Sequence, residues 1–258
     1  MGFESELHQR IENLESRLCV GFDPRPERID GDVLSFLKRA VDAVHDIAAA
    51  VKPNIAYFEA MGVEGYEMLD ELLDEIPESM PVILDVKRSD IPETQKYYKK
   101  AYFDRWDVDA VTLNPYMGFD SLEPFLEIEE KGIYLLGVTS NPGAQAMQLG
   151  DEHGTGALHR VIEMTRQTEY ETMTGLVMGL TNLSESLIGF MHDVPLLLPG
   201  LGAQGGEVSI LKRLDDDVPS MVNSSRSVLY GDQDRADGTG IEGRAKDYRE
   251  RIADAFGR

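Results

Sequence analysis

A (β/α)8 TIM barrel, formed as one domain over residues 1–258 with a helix ahead of its first strand, is the fold this sequence predicts. Three observations predict it. Short apolar runs alternate along the chain with amphipathic helical stretches, the order of a parallel sheet covered by helices. A length of 258 residues, 42% of them hydrophobic, suits one such barrel. Several of the runs stop at a polar residue, and strand ends are where these barrels keep their chemistry. An open doubly wound sheet is the alternative, because short apolar runs are ambiguous.

In chain order, a helix over about residues 4–14 is expected to close the barrel bottom. Strands are expected over 18–22, ending at Asp23, then 50–52, 82–84 and 110–113, the last ending at Asn114 and Pro115. The fifth covers 133–138 and ends at Thr139 and Ser140, and the sixth covers 176–180. The seventh, 196–198, leads into Pro199 and Gly200; the eighth, 221–222, leads through Asn223, Ser224 and Ser225 to Arg226. Helical patterns fill 33–50, 62–76, 92–105, 120–131, 156–172, 182–191, 206–214 and 241–256. The stretch 141–155, rich in Gly and Gln, reads as a mobile loop, and no linker or shift in composition divides the chain.

Composition narrows the function. With 47 acidic against 25 basic residues the net charge is -22, which makes nucleic acid a poor partner. No run approaches the roughly eighteen apolar residues of a membrane span. The opening residues 1–7 are acidic and mixed, unlike a signal peptide, and the acids after Gly2 argue against myristoylation. Cys19 is the only cysteine and lies in an apolar run, which reads as core packing in a cytoplasmic protein. Nine Lys stand against sixteen Arg. A folded acidic surface poor in lysine reads as adaptation to a salt-rich cytoplasm, as in halophilic archaea, where salt screens the self-repulsion.

The most informative segment is 83–91. An apolar run ends in Asp85 and Lys87, and Asp90 follows. Residues two apart on a strand share a face, so Asp85 and Lys87 are expected to project together from the strand end. D-x-K-x-x-D alone also occurs as a solvated charge cluster; its position at the end of a buried strand is what favours chemistry. A lysine between two carboxylates is held charged and placed as a proton donor.

Other strand ends carry candidates of the same kind. Asp23 can accept sugar hydroxyls or simply start a turn before Pro24. Lys52, inside an apolar run, either pairs with a buried carboxylate, for which Asp85 is the natural choice, or extends its stem to the surface. The 199–206 loop, with Pro199, Gln204 and Gly205, lets backbone N–H groups approach an anion, though such turns also merely connect elements. Arg226 after the last strand strengthens the anion reading, since the last two strands of these barrels often frame a phosphate site. The five His form no pair with ligand spacing, and no G-x-S-x-G or Walker A pattern occurs.

Taken together, residues 20–26, 51–54, 85–91 with Thr94, 114–116, 139–144, 199–206 and 222–226 resemble the orotidine 5'-phosphate decarboxylase family, its second subfamily in particular. The order and spacing of these segments span about residues 19–231. The resemblance implies conversion of orotidine 5'-monophosphate to uridine 5'-monophosphate and carbon dioxide, the last step of de novo UMP synthesis, with no cofactor or metal. It implies a tetrad of Lys52, Asp85, Lys87 and Asp90, with Lys87 protonating the C6 carbanion. It further implies a homodimer in which Asp90 and Thr94 reach the partner subunit's site. Asp23 would bind the ribose and Ser140 the pyrimidine. Gln204 would bridge base and phosphate, and Arg226, with backbone N–H groups near Pro199 and Gly205, would hold the phosphate. Ser225 stands where the larger subfamily usually has Gly, but its N–H is still available.

Two other readings compete. Related barrel decarboxylases and aldolases of sugar phosphates resemble the D-x-K-x-x-D segment but use magnesium, with a carboxylate where this chain has Lys52. An ammonium there repels a divalent cation. A non-catalytic nucleotide-phosphate binder on the same scaffold would have no need of both lysines and both aspartates.

Overall fold

The computed structural model describes residues 2–150, 156–167, 169–201, 208–231 and 236–257. Eight parallel strands run in the spatial order β2-β1-β8-β7-β6-β5-β4-β3. They are β1 (Leu18–Phe22), β2 (Ala50–Pro53), β3 (Ile83–Arg88), β4 (Ala110–Leu113), β5 (Gly132–Val138), β6 (Met173–Met178), β7 (Leu196–Pro199) and β8 (Met221–Ser224). Between β2 and β3 the ladder is reduced to isolated parallel bridges, Val51 with Val82 and Asn54 with Asp85, which bring the two ends of the sheet together. The sheet is therefore a nearly closed barrel, and the open doubly wound alternative is set aside.

Strand parity sorts the side chains. Leu18, Val20, Phe22, Val51, Leu84, Val111 and Leu113 pack outward against the helices. Cys19, Ala50, Ile83, Ala110, Tyr134, Val177, Leu197 and Met221 form a second, inner core. Helix α1 (Phe3–Leu14) closes that core from below, as expected, with Phe3, Leu7 and Ile11 buried on one face. The Phe3 ring meets Tyr134 edge-on at 6.4 Å. Gly132 makes room for it: a Cβ there would lie 2.3 Å from Phe3 Cδ1. Burying each such large apolar side chain contributes about 1.5–3 kcal/mol. Cys19 belongs to this inner core, and burial pushes its thiol up to about 12, so it is no nucleophile.

The outer layer comprises α2 (Val33–Val44), α3 (Ile55–Glu59), α4 (Val63–Glu75), α5 (Pro92–Lys99), α6 (Glu123–Leu126), α7 (Ala157–Met164), α8 (Glu185–Phe190), α9 (Arg226–Leu229) and α10 (Ile241–Phe256). Asp32 caps α2 by accepting the Ser35 N–H at 2.7 Å, and Phe36, Leu37, Ala40, Val41 and Val44 form its buried stripe. Several expectations are corrected. The helix expected over 92–105 continues past Lys99 as a π-helical turn, Lys100–Arg105. Its i→i+5 bonding widens the helix where Tyr98, Tyr102 and Trp106 stack at 6.0 Å centroid separations. The helix expected over 120–131 shrinks to α6, because Gly118 turns at φ 102° and Pro124 cannot donate to a preceding turn. The helix expected over 206–214 lies partly outside the described residues, and Val208–Arg213 is a 3-10 helix. The sixth strand starts earlier than expected, at Met173, where Gly175 lets the Tyr134 ring pass. Of the expected loop, residues 151–155 lie outside the described residues, while Gln145–Leu149 forms a π-helical turn.

Candidate active site

The third strand builds the centre of the site. Leu84 pairs with Val111 and Arg88 with Leu113, so four steps on β3 are set against two on β4. This wide bulge holds Lys87 at φ 46°, a left-handed conformation that costs a non-glycine residue about 1–3 kcal/mol and that surrounding contacts must stabilise. The contacts are present. Asp85, 7% exposed, points inward, and the Lys87 ammonium folds back onto its Oδ1. Lys52 Nζ donates to Asp85 Oδ2 at 2.8 Å. Thr112 on β4 donates its hydroxyl to Asp85 Oδ1 at 2.8 Å and accepts the Lys87 backbone N–H at 3.0 Å.

The electrostatics follow from this geometry. Burial pushes the Asp85 carboxyl up, but the Lys52 and Lys87 ammonium groups outweigh it and hold the group well below the usual carboxylate range. Burial likewise pushes Lys52 down, and the Asp85 and Asp23 carboxylates outweigh it, so its ammonium persists above the ordinary lysine range. A buried anion thus carries one buried lysine and one half-exposed lysine at the C-terminal mouth of the barrel.

Asp23 follows β1 directly. Its carbonyl accepts the Tyr230 hydroxyl at 3.0 Å, and Tyr230 in turn accepts the Arg25 N–H at 2.9 Å, with Phe36 stacked on the ring at 5.7 Å. Asp23 Oδ1, Ser89 Oγ, Asn223 Oδ1 and Ser225 Oγ are buried without a hydrogen-bond partner among the described residues. Buried polar atoms normally have partners, and each orphan costs about 1–3 kcal/mol. Their concentration at the strand ends suits a hydroxylated, charged small molecule. Gly21 lets the β8 end approach, since a Cβ there would lie 2.8 Å from that of Ser225.

Ser140 is exposed just beyond β5, and its backbone presses on Gly179. Next to it, Thr139 is anchored by Gln148 Oε1 at 2.7 Å and Asn182 Nδ2 at 2.7 Å. Pro199 ends β7 in register with Asn223. Arg226 opens α9 with its guanidinium exposed and unpaired among the described residues. Gln204 and Gly205 lie outside the described residues. Asp90 is half-buried and accepts the adjacent Ile91 N–H at 2.8 Å; among the described residues it makes no ion pair. Thr94 sits in α5, partly exposed, between the exposed side chains of Ile91 and Tyr97. Ion pairs therefore join Lys52, Asp85 and Lys87, and among the described residues none ties Asp90 to them.

Sequence reading missed three features. Thr112 is a lone hydroxyl in an apolar strand, two residues after the inward Ala110; that parity was the available signal. Asn223 carries the same inward parity after Met221. Arg88 is held by Glu59 at 2.5 Å and by the Tyr102 hydroxyl at 2.8 Å, with its guanidinium 5.3 Å from the Tyr98 ring centroid. It ties the helix after β2 to the end of β3, a link that no local pattern announces. Elsewhere, a cavity of 630 Å³ between α9 and α10 takes no part, and its Arg244 is engaged with the carbonyls of Val228 and Leu229. Among the described residues no group of His, Cys, Asp or Glu could hold a metal, and no helix is long and apolar enough to cross a membrane.

Comparison with known proteins fits this geometry. The sequence profile of the orotidine 5'-phosphate decarboxylase / HUMPS family matches residues 16–236. The orotidine 5'-phosphate decarboxylase of Roseiflexus sp. is 40% identical over 99% of this chain and 97% of its own length. That of Cupriavidus taiwanensis is 38% identical over 91% and 92%. The solved structure of Leishmania donovani OMP decarboxylase superposes with a TM-score of 0.83 at 30% identity, covering 100% of both chains. Both sequence relatives are bacterial and lend no support to the archaeal origin expected from composition. This protein belongs to the orotidine 5'-phosphate decarboxylase / HUMPS family.

Proposed function

We propose that this enzyme decarboxylates orotidine 5'-monophosphate to uridine 5'-monophosphate without a metal or cofactor. The observation that carries the reading is the inward Asp85 carboxylate bearing both the Lys52 and the Lys87 ammonium at the barrel mouth. Loss of carbon dioxide leaves a carbanion at C6 with no cofactor to delocalise it, so a preorganised cation must stabilise it. Lys87, half-exposed and folded back from the bulge, is the group available to do so and then to deliver the proton to C6. Asp85 orients that ammonium through their ion pair. The Asp23 carboxylate beside Lys52, with an acceptor orphaned among the described residues, suits the ribose hydroxyls, Ser140 the pyrimidine edge, and the exposed guanidinium of Arg226 the phosphate. Pro199, Gln204 and Gly205 complete the base and phosphate contacts. Phosphate binding remote from C6 supplies energy for closing the site and excluding water.

The working unit in this reading is a homodimer of single-domain barrels in the cytoplasm, with Asp90 and Thr94 completing the partner subunit's site. Its support is that Asp90 makes no ion pair among the described residues, while Ile91 and Tyr97 beside it present exposed apolar surface. Assignment to the second subfamily rests on the order and spacing of all the matching segments from 20–26 to 222–226, and the salt-adapted habitat on the net charge of -22 with nine Lys against sixteen Arg.

The test is turnover of orotidine 5'-monophosphate in molar potassium chloride with a chelator, followed by loss of the orotate absorbance and appearance of uridylate. Turnover with chelator supports the metal-free decarboxylase. Activity restored only by magnesium would instead identify a sugar-phosphate type of chemistry, and none under any condition would favour a binding protein. Lys87→Ala is expected to lower turnover by at least about 10²–10⁴-fold while uridylate still binds. Unchanged turnover in that variant would remove Lys87 from its role.

A further inference from the structure

We propose that Thr112 is a positioning residue of this site, its one hydroxyl setting the Lys87 ammonium against the Asp85 carboxylate. Thr112 lies in β4, 1% exposed, with the inward parity of Ala110. The β3 bulge takes Lys87 out of the regular ladder, since pairing with β4 jumps from Leu84 to Arg88. The Lys87 backbone N–H therefore needs another acceptor, and Thr112 Oγ1 supplies it at 3.0 Å. The same hydroxyl passes its proton toward Asp85 Oδ1 at 2.8 Å, and that oxygen also receives the Lys87 ammonium. Backbone N–H, hydroxyl, carboxylate and ammonium close a ring that starts and ends on Lys87. The ring supports the φ of 46° that directs the side chain. Removing the hydroxyl strands the N–H, frees one lone pair of Asp85 and relaxes the left-handed turn together. Thr112 acts only through Asp85 and Lys87.

The inference rests on the role of Lys87 proposed above, and its test separates the two. Thr112→Val keeps the branched shape and removes the hydroxyl, Thr112→Ala removes it without adding a methyl, and Thr112→Ser keeps it. Loss of one hydrogen bond to a charged group corresponds to a kcat about 10- to 100-fold lower in T112V and T112A, with KM changed by less than about threefold. T112S is expected to recover kcat to within about threefold of wild type. A readout independent of turnover is the ¹⁵N resonance of the Lys87 ammonium, assigned by its loss in Lys87→Ala. It shifts in T112V and T112A and returns in T112S. Wild-type kcat with an unmoved resonance in T112V would overturn the inference, as would a T112S as impaired as T112A, which would mean that packing and not the hydroxyl matters. Should the wild-type protein fail to turn over orotidine 5'-monophosphate, the proposed function falls, and the resonance series alone decides the place of Thr112.

Discussion

Asp85→Asn is the most informative perturbation, because three groups converge on this carboxylate and one of them has nowhere else to go. Lys52 is 6% exposed, and among the described residues its ammonium bonds only Asp85. Asparagine keeps the shape and loses the charge, leaving a buried ammonium with the more distant Asp23 as its remaining carboxylate among the described residues. Removing one partner of a buried pair costs about 3–5 kcal/mol. A chain of this size moves about 2–4 °C per kcal/mol, so the melting temperature should fall by about 6–20 °C. Lys87 is nearly half exposed, and its lost contact adds little to that figure.

The pH dependence has a definite sign. In the wild type the depressed Asp85 carboxyl contributes stability above about pH 4, lost as pH falls through its folded value. The raised Lys52 contributes fully below about pH 10, lost only as pH rises through its folded value. In the variant, burial of Lys52 dominates and the unfolded chain binds more protons than the folded one, so stability rises with pH. The gap between variant and wild type should therefore be widest near about pH 7 and narrow toward about pH 10. Thermal unfolding by circular dichroism across that range, at fixed potassium chloride, measures it. A gap under about 2 °C at neutral pH, or one that stays flat with pH, would refute the assignment of Lys52 as a buried cation dependent on Asp85.

Further expectations concern the surroundings of the site. Tyr102→Phe keeps the aromatic stack but removes the hydroxyl that accepts from Arg88, and should cost about 1.5–3 kcal/mol in chemical denaturation; a loss below 0.5 kcal/mol, roughly the level of an exposed contact, would mean that Glu59 alone holds Arg88. Gly132→Ala drives a methyl into the Phe3 ring and should destabilise by about 1–3 kcal/mol, with Phe3→Leu in the same chain recovering part of the loss. Lowering potassium chloride from molar to about 0.1 M lengthens the screening distance to about 10 Å and should lower the melting temperature, given the net charge of -22. A melting temperature independent of salt would remove the halophilic reading of the composition.

Much of the barrel was legible because each strand and helix advertises its own burial. The run from Leu18 to Phe22 and the run from Ala110 to Leu113 are strands with the expected ends, and α10 spans the expected residues. Where expectations failed, a non-local contact decided. The β3 end reads as a short apolar run up to Leu84, yet the strand continues to Arg88 because its bulge is held by β4 and by the Glu59–Arg88 pair. The helix expected past Lys99 opens into a π-turn where three aromatic rings stack. Asp90, the last residue of the motif, bonds the neighbouring Ile91 N–H and, among the described residues, makes no ion pair with its lysines.

By itself the sequence determined the alternation of elements, the parity that divides inner from outer core, and the chemical types at the strand ends. Periodicity suffices for these, since a residue's face follows from its position in its own element. Only the tertiary structure decided that Lys52 reaches Asp85 across 33 residues, that Thr112 links Asp85 to the Lys87 backbone, and that Lys87 turns back at a positive φ. Those contacts depend on register between neighbouring strands and on the bridges that bring β2 to β3. A one-dimensional pattern carries neither, because register is set by pairing with a partner that lies far away along the chain.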